Sequence, residues 1–366
     1  MSPSRTTSEA TSNVMRSRII AGEALATLRS LPMDFVDCVI TSPPYFLLRD
    51  YQHPGQLGLE DSVSTWVAHL QGIMTELARV LKPEGSVWLN LGDSYSRKDS
   101  HGAVPKSLLL GPERLVLALS NDGWTIRNKV IWAKTNPMPA SVGDRLNTTW
   151  EALYLLTRSR HYYFDLDAIR QPQRSGARGR RARGMRPGGR PRRTKADKPA
   201  WAGPLAGAQH GLDSLHAAGM TGHPLGKNPG DVWPLPTANF RGAHFAVFPE
   251  ALAERPLLAS CPERICTACG KAWRRERARR LGSTAVIGAL SPMCRCAAAW
   301  RPGLVLDPFI GSGTVAVVAE RHGRDWLGIE INRKFVEIAE RRIRAARDRP
   351  HGNARTPPAD GEATAA

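Results

Sequence analysis

Apolar and polar positions fall into two rhythms along this chain. Phe35-Val36-Asp37-Cys38-Val39-Ile40 is short, mostly apolar and β-branched, which predicts a buried strand ending before Pro43-Pro44. From Ser64 onward, Trp66, Leu70, Ile73, Leu77 and Leu81 recur every three or four positions. That is the period of a helix with one apolar face, and Lys82-Pro83-Glu84-Gly85 is expected to close it. Residues 86–91 then read as a strand, 112–119 as a helix and 125–132 as a strand. Residues 151–157 and 161–164 read as the two arms of a hairpin. Regular structure is expected again at 245–258, followed by a strand at 304–306, a helix at 311–321 ended by Gly323, a strand at 326–329 and a helix at 333–346. Strands alternating with amphipathic helices predict an α/β fold with a mostly parallel sheet.

Composition alters this picture in the middle of the chain. Residues 170–198 are a dense mixture of Arg, Gly and Pro with almost no large apolar side chain, so burial cannot offset the entropy of ordering them. They are expected to be disordered when free. The reading divides the 366 residues into tails at 1–17 and 348–366, a catalytic part at 18–170 and a basic variable region at 171–240. A second part of the catalytic fold covers 241–260 and 301–347, with a cysteine-bearing insertion at 261–300 between its pieces. No apolar run approaches the roughly 20 residues of a membrane span, and residues 1–18 lack the apolar stretch of a secretory signal. A cytoplasmic protein is expected. The net charge of +18 favours a polyanionic partner such as double-stranded DNA, although an ordinary enzyme with a basic tail would carry the same charge.

Two loops carry candidate chemistry. Thr41-Ser42-Pro43-Pro44-Tyr45 follows a predicted strand and so projects into the crevice at the sheet's carboxyl edge. Methylating an aromatic amine requires acceptors that hold both amine hydrogens while the nitrogen lone pair is drawn out of the ring. Ser42 and the Pro43 carbonyl can supply them, Pro44 stiffens the loop and Tyr45 can stack on a base. A rigid surface turn would also explain the prolines. The second loop, Asp307-Pro308-Phe309-Ile310-Gly311-Ser312-Gly313-Thr314, lies where a strand turns into a helix, and Glu330 ends the following strand, placed to accept from ribose hydroxyls. With Ala316 this loop also satisfies the dinucleotide spacing G-x-G-x-x-A, so a nicotinamide enzyme stays open on this motif alone.

Together, S-P-P-Y and D-P-F-x-G-S-G-T resemble the amino-group DNA methyltransferases that modify N4 of cytosine or N6 of adenine. Because the catalytic loop precedes the cofactor loop, the order is similar to the permuted β class of that family. The resemblance implies a Rossmann-like S-adenosylmethionine-dependent methyltransferase fold acting on double-stranded DNA. It also implies a cognate restriction endonuclease as partner. By the same resemblance, Ser42, Pro43, Pro44 and Tyr45 are catalytic. Asp307, Phe309, Gly311, Ser312, Gly313 and Thr314 hold S-adenosylmethionine, and Glu330 holds its ribose. Phe248-Pro249-Glu250 looks like a further cofactor motif, and Glu23 stands where the family usually has Asp beside the cofactor's adenine. Asn90-Leu91-Gly92-Asp93 and residues 130–136 look like elements flanking the base pocket. Ser at the head of the catalytic loop is similar to the cytosine-N4 branch, with adenine-N6 as the alternative. A glutamine-methylating enzyme with an N-P-P-Y loop is a more distant reading.

Cys266-Thr267-Ala268-Cys269 and Cys294-Arg295-Cys296 offer two chelating pairs, which suggests structural zinc on Cys266, Cys269, Cys294 and Cys296, with Cys261 able to replace one ligand. Buried cysteines without metal, or a zinc-ribbon module that binds nucleic acid without catalysis, are the competing readings. Lys271, Arg274, Arg275, Arg277, Arg279 and Arg280 around this insertion could meet DNA phosphates or simply be solvated.

Overall fold

The computed structural model describes residues 16–172, 225–238, 247–280 and 283–348, with backbone alone at 276–280 and 283–288. The basic segment at 173–224 lies outside the described residues, as do the tails at 1–15 and 349–366.

Among the described residues twelve strands form: β1 (Arg18–Ala21), β2 (Val36–Thr41), β3 (Leu81–Leu91), β4 (Thr125–Lys134), β5 (Trp150–Thr157), β6 (Val232–Leu235), β7 (Ile265–Cys266), β8 (Arg274–Arg280), β9 (Ser283–Ser291), β10 (Trp300–Arg301), β11 (Leu304–Asp307) and β12 (Asp325–Glu330). The main helices are α1 (Ala24–Ser30), α2 (Val63–Val80), α3 (Gly111–Asn121), α4 (Glu250–Ser260), α5 (Thr314–Arg321) and α6 (Arg333–Arg347).

Eight strands make one sheet in the order β1-β12-β11-β2-β3-β5-β4-β6. Every pairing is parallel except the two made by β5, which runs against both β3 and β4. Each central strand is buried on both faces, which is why β2 and β11 read as apolar runs rather than alternating patterns. Side chains nevertheless alternate between two cores. Leu304 and Leu306 pack with Trp66, Leu70 and Leu77 of α2 on one face, whereas Val305 packs with Leu257 of α4 and Val317 of α5 on the other. The result is three layers, with helices covering both faces of the sheet. Asp37 is tolerated inside β2 because Lys82 pairs with it, and because its Oδ2 accepts the Leu304 amide at 2.9 Å and lies 3.5 Å from Arg301.

Adjacent β2 and β11 are the centre of this arrangement. From β2 the chain moves outward to β3, while from β11 it moves the other way to β12, so their neighbouring carboxyl ends form a topological switch point. Crevices at such points bind ligands in open α/β sheets.

Three expectations require correction. The hairpin at 151–164 does not form. Residues 150–157 insert as β5 between β3 and β4, while the chain leaves the sheet so that the Tyr163 amide reaches the Glu84 carbonyl at 2.8 Å. Leu81 caps α2, its amide donating to the Leu77 carbonyl, and at once begins β3 opposite Val36, so Lys82–Gly85 form an irregular strand entry rather than a closing turn. Residues 232–235, assigned from sequence to the variable region, supply the sheet's edge strand β6 against β4.

Candidate active site

The loop after β2 is held on all sides. The Trp66 indole of α2 donates to the Pro44 carbonyl at 2.9 Å, the Leu47 amide to the Gly58 carbonyl at 2.8 Å, and the Ser94 hydroxyl to the Phe46 carbonyl at 2.7 Å. Gly92 matters here because a Cβ on it would come within 2.7 Å of the Tyr45 ring, so only glycine lets that ring settle against the end of β3.

Around Tyr45 the side chains form a connected network. Its hydroxyl lies 3.0 Å from Ser42 Oγ and donates to Glu151 Oε2 at 2.7 Å. Asn90 Nδ2 donates to the Tyr45 oxygen at 2.7 Å and to Glu151 Oε2 at 2.8 Å. Lys134 Nζ completes it with an ion pair to Glu151 Oε1 at 2.6 Å. Burial, then the nearby Glu151 charge, holds the Tyr45 phenol well above its ordinary range, so it remains a donor.

The second loop is braced from below and from the side. Asp307 Oδ1 accepts from Thr41 Oγ1 at 2.7 Å and from the Phe309 amide at 3.1 Å. Burial pushes Asp307 up to about 7. Glu330 is also raised by burial, and its oxygens accept from the Gly311 amide at 3.0 Å and the Asn332 amide at 2.8 Å. From α6, Arg342 donates to the Ser312 carbonyl at 2.6 Å and to Ser312 Oγ at 2.7 Å.

Both loops open onto one cavity of about 1230 Å³. That exceeds the usual range of roughly 300–1,000 Å³ for a single small ligand, which leaves room for two reactants side by side. Ser42, Pro43, Pro44, Tyr45, Glu23, Phe248, Phe309, Gly311, Ser312, Thr314 and Glu330 all reach its wall. Asp307 and Pro249 support it without lining it: Asp307 is 2% exposed beneath the loop, and Pro249 caps α4. Gly313 faces elsewhere. It sits at φ +84°, and a Cβ there would lie 3.0 Å from the Ala339 Cβ of α6, so its smallness serves helix packing rather than the approach of a ligand. Glu23 caps α1, its two oxygens accepting from the Leu25 and Ala26 amides at 2.7 Å each. Sequence reasoning missed Glu151, Lys134 as its partner, and Arg342. The signal for Glu151 was a lone acid at the head of the otherwise apolar β5.

Tyr95 and Arg145 stack with the guanidinium 3.9 Å from the ring centre, and both belong to the cavity wall. The walls therefore combine carboxylate acceptors at Glu330 with aromatic surface from Tyr51, Phe309 and Phe335, a donor and acceptor set that suits a nucleoside.

A separate centre lies in the insertion. The sulfurs of Cys266, Cys269, Cys294 and Cys296 all lie within 4.8 Å of one another. The Cys269 amide lowers Cys266 to about 7, while Cys269 and Cys294 beside it push Cys296 up to about 12. Four thiols this close ionise together only around a cation, so the donor set fits a tetrahedral thiophilic metal. Cys261 is not part of it: fully buried at the end of α4, its sulfur lies where a Cβ on Gly303 would come within 2.9 Å. Of the basic residues nearby, Arg275 pairs with Asp165 at 3.0 Å and Arg274 with Glu84 at 3.5 Å, so these two hold the insertion to the catalytic part. The side chains of Arg277, Arg279 and Arg280 lie outside the described residues.

Comparisons with known proteins agree with this geometry. A family model described as DNA methylase, N6_N4_Mtase, matches residues 36–341. The chain is 31% identical to the Type II methyltransferase M.SmaI of Serratia marcescens, over 91% of this chain and 92% of that one. It is 33% identical to the Type II methyltransferase M.Cfr9I of Citrobacter freundii, over 89% of this chain and 87% of that one. Among solved structures, the PvuII DNA methyltransferase (cytosine-N4-specific) superposes with a TM-score of 0.53 at 16% identity, covering 89% of this chain and 85% of that one. A protein of Thermus thermophilus, solved with S-adenosyl-L-methionine, superposes with a TM-score of 0.50 at 19% identity, covering 90% and 94%.

Proposed function

This chain belongs to the N6/N4 DNA methylase family, and we propose that it transfers a methyl group from S-adenosylmethionine to the N4 amino group of a cytosine turned out of double-stranded DNA. One observation carries the reading: the Thr41–Asp307 hydrogen bond joins β2 to β11, so that the Ser42–Tyr45 loop and the Phe309–Thr314 loop open onto the same cavity.

When bound, S-adenosylmethionine supplies an electrophilic methyl group on a sulfonium. Glu330 would accept from its ribose, Phe309, Phe335 and Tyr51 would enclose its base, and the backbone at Gly311 and Ser312 would lie along its methionine half. Arg342 keeps that backbone in place through Ser312. On the other side, Ser42 Oγ and the Pro43 carbonyl accept the two amine hydrogens, which favours the pyramidal nitrogen needed for attack. The prolines fix φ, so the acceptors need no rearrangement during reaction. A base must leave the duplex stack to reach them.

Cytosine is placed ahead of adenine because Ser42 at the head of the loop is similar to the cytosine-N4 branch of the family. The name of the PvuII neighbour, cytosine-N4-specific, supports the same choice. The Type II relatives support a restriction endonuclease of matching specificity as a functional partner. Zinc on Cys266, Cys269, Cys294 and Cys296 would fasten the insertion at 261–300, and the basic region at 171–240 would supply much of the DNA affinity. Among the described residues, no helix is long and apolar enough to cross a membrane.

The test is direct. Duplex DNA incubated with the protein and methyl-labelled S-adenosylmethionine is digested to nucleosides and separated. Label in N4-methylcytosine is the expected result, label in N6-methyladenine selects the alternative base, and label confined to protein overturns the assignment.

A further inference from the structure

A serine hydroxyl at the head of the catalytic loop presents a chemical difficulty. It donates as readily as it accepts, whereas the amine of a base needs an acceptor. It is also too weak a base to keep the proton that the nitrogen must lose. The network behind Ser42 answers both points, because its hydrogen-bond directions are determined from one end.

Glu151 begins that sequence. A carboxylate only accepts, so the Tyr45 hydroxyl must donate to Glu151 Oε2, at 2.7 Å. The Tyr45 oxygen is then an acceptor, filled by Asn90 Nδ2 at 2.7 Å and by the Ser42 hydroxyl at 3.0 Å. Ser42 has one proton, and directing it at Tyr45 leaves its oxygen only to accept, from Asn90 Nδ2 at 3.5 Å and from an incoming N–H. Lys134 Nζ lies 2.6 Å from the other Glu151 oxygen, so the carboxylate is held from both sides.

We infer that Glu151 is a positioning residue: acting through Tyr45, it makes Ser42 an obligate acceptor for the amine and is the terminus of a hydroxyl relay that removes the amine proton. The inference rests on the amine-methylation reading above. In the step, the nitrogen lone pair forms the N–CH₃ bond while the C–S bond breaks and its electron pair stays on sulfur. The nitrogen then yields a proton to Ser42 Oγ, the Ser42 proton passes to the Tyr45 oxygen and the Tyr45 proton passes to Glu151. The relay ends with a neutral Glu151 carboxyl, a neutral thioether and a neutral methylamine. Glu151 retains 15% side-chain exposure, enough to return the proton to water.

Glu151→Gln keeps the shape of the side chain but removes its charge and its fixed polarity. First the nucleoside product of the wild-type protein is identified; then kcat, both KM values, the pH dependence of kcat, cofactor affinity by calorimetry and Tm are measured for wild type, Glu151→Gln, Tyr45→Phe and the double variant. The expected result is a fall in kcat of roughly 100-fold in each single variant, the contribution of a positioned proton acceptor, with KM, cofactor affinity and Tm close to wild type. The pH profile of kcat should differ in shape between the wild type and Glu151→Gln. The double variant should be little worse than either single one, since both interrupt the same path. A Glu151→Gln protein with wild-type kcat and pH profile overturns the relay, and so does a double variant whose loss is the product of the two. Should Glu151→Gln fail to fold, Tyr45→Phe carries the test, and wild-type turnover in it overturns the relay. A wild-type protein that methylates no amino group overturns the underlying functional reading instead.

Discussion

Thr41 Oγ1 donates to Asp307 Oδ1 at 2.7 Å in the middle of the sheet, tying together two loops that lie 266 positions apart in the chain. The pair is buried, with Thr41 1% and Asp307 2% exposed, and its carboxyl titrates near 7 because burial outweighs the two hydrogen bonds that favour its charge. The joint between the catalytic and cofactor loops is therefore sensitive to proton concentration near neutrality.

The consequence for stability has a definite sign. An unfolded aspartate titrates near ~3.9, and the folded value is raised to about 7. The native state thus holds this proton more tightly, and the resulting stabilisation is full below about 4 and lost as pH rises through about 7. Asp307→Asn cannot ionise and retains the shape. The wild-type stability minus that of the variant, measured by denaturant unfolding, should fall by a few kcal/mol between pH 4 and pH 8, since each tenfold difference in proton affinity is worth about 1.4 kcal/mol. A difference that stays constant over that range would show that Asp307 does not titrate there.

Gly313 leads to a different kind of prediction. Its left-handed φ of +84° and the 3.0 Å approach to Ala339 mean that Gly313→Ala strains the backbone and displaces α6. A loss of about 2–4 kcal/mol is expected from the two effects together. Since the position faces α6, heat-induced unfolding should shift downward even without cofactor. An unchanged Tm combined with lost cofactor binding would instead place the glycine against the ligand.

What the sequence disclosed and what it hid follow a common physical rule. β2 and β11 were legible as short apolar runs and α2 and α6 by a local helical period, and both motif loops were legible because each is a contiguous run beside a strand. Glu151 was not, since its meaning comes from β5 lying between β3 and β4, which places it beside Asn90 and Lys134. The same non-local pairing explains why a hairpin was expected at 151–164. Gly313 shows the converse case: the motif was visible, but which neighbour demanded the glycine depended on α6. Arg342 belongs to the strongly polar face of a helix, where nothing in the local pattern distinguishes a residue that grips Ser312 from a solvated one.

The cysteine cluster makes a metal-content prediction. Purified protein should contain about one zinc per chain, and Cys266→Ser should lower both that content and the resistance of the insertion to proteolysis. Because Arg274 and Arg275 fasten the insertion to Glu84 and Asp165, away from the Ser42 network, chelation should destabilise the insertion first and cofactor affinity least. Metal-free protein with an intact, protease-resistant insertion would return the four thiols to simple packing.

The last prediction concerns DNA and depends on charge alone. Residues 177–193 hold eight arginines among glycines and prolines and no aromatic or branched apolar residue. Reading base edges requires side chains held at fixed positions, whereas neutralising phosphates requires only that cations reach them. This segment has the composition for the second task. Each phosphate no longer neutralised should reduce the slope of log affinity against log salt by about 0.9. Deleting 177–193 should accordingly weaken binding to every duplex and flatten that slope by several units. Turnover at saturating DNA should change little, because the base is held by the Ser42 network and not by the basic segment. The methylated sequence should also stay the same, as nucleoside-resolved mapping of modified DNA would reveal. A truncated protein that modifies a different sequence would mean that these arginines read bases, and the division between affinity and selectivity would have to be redrawn.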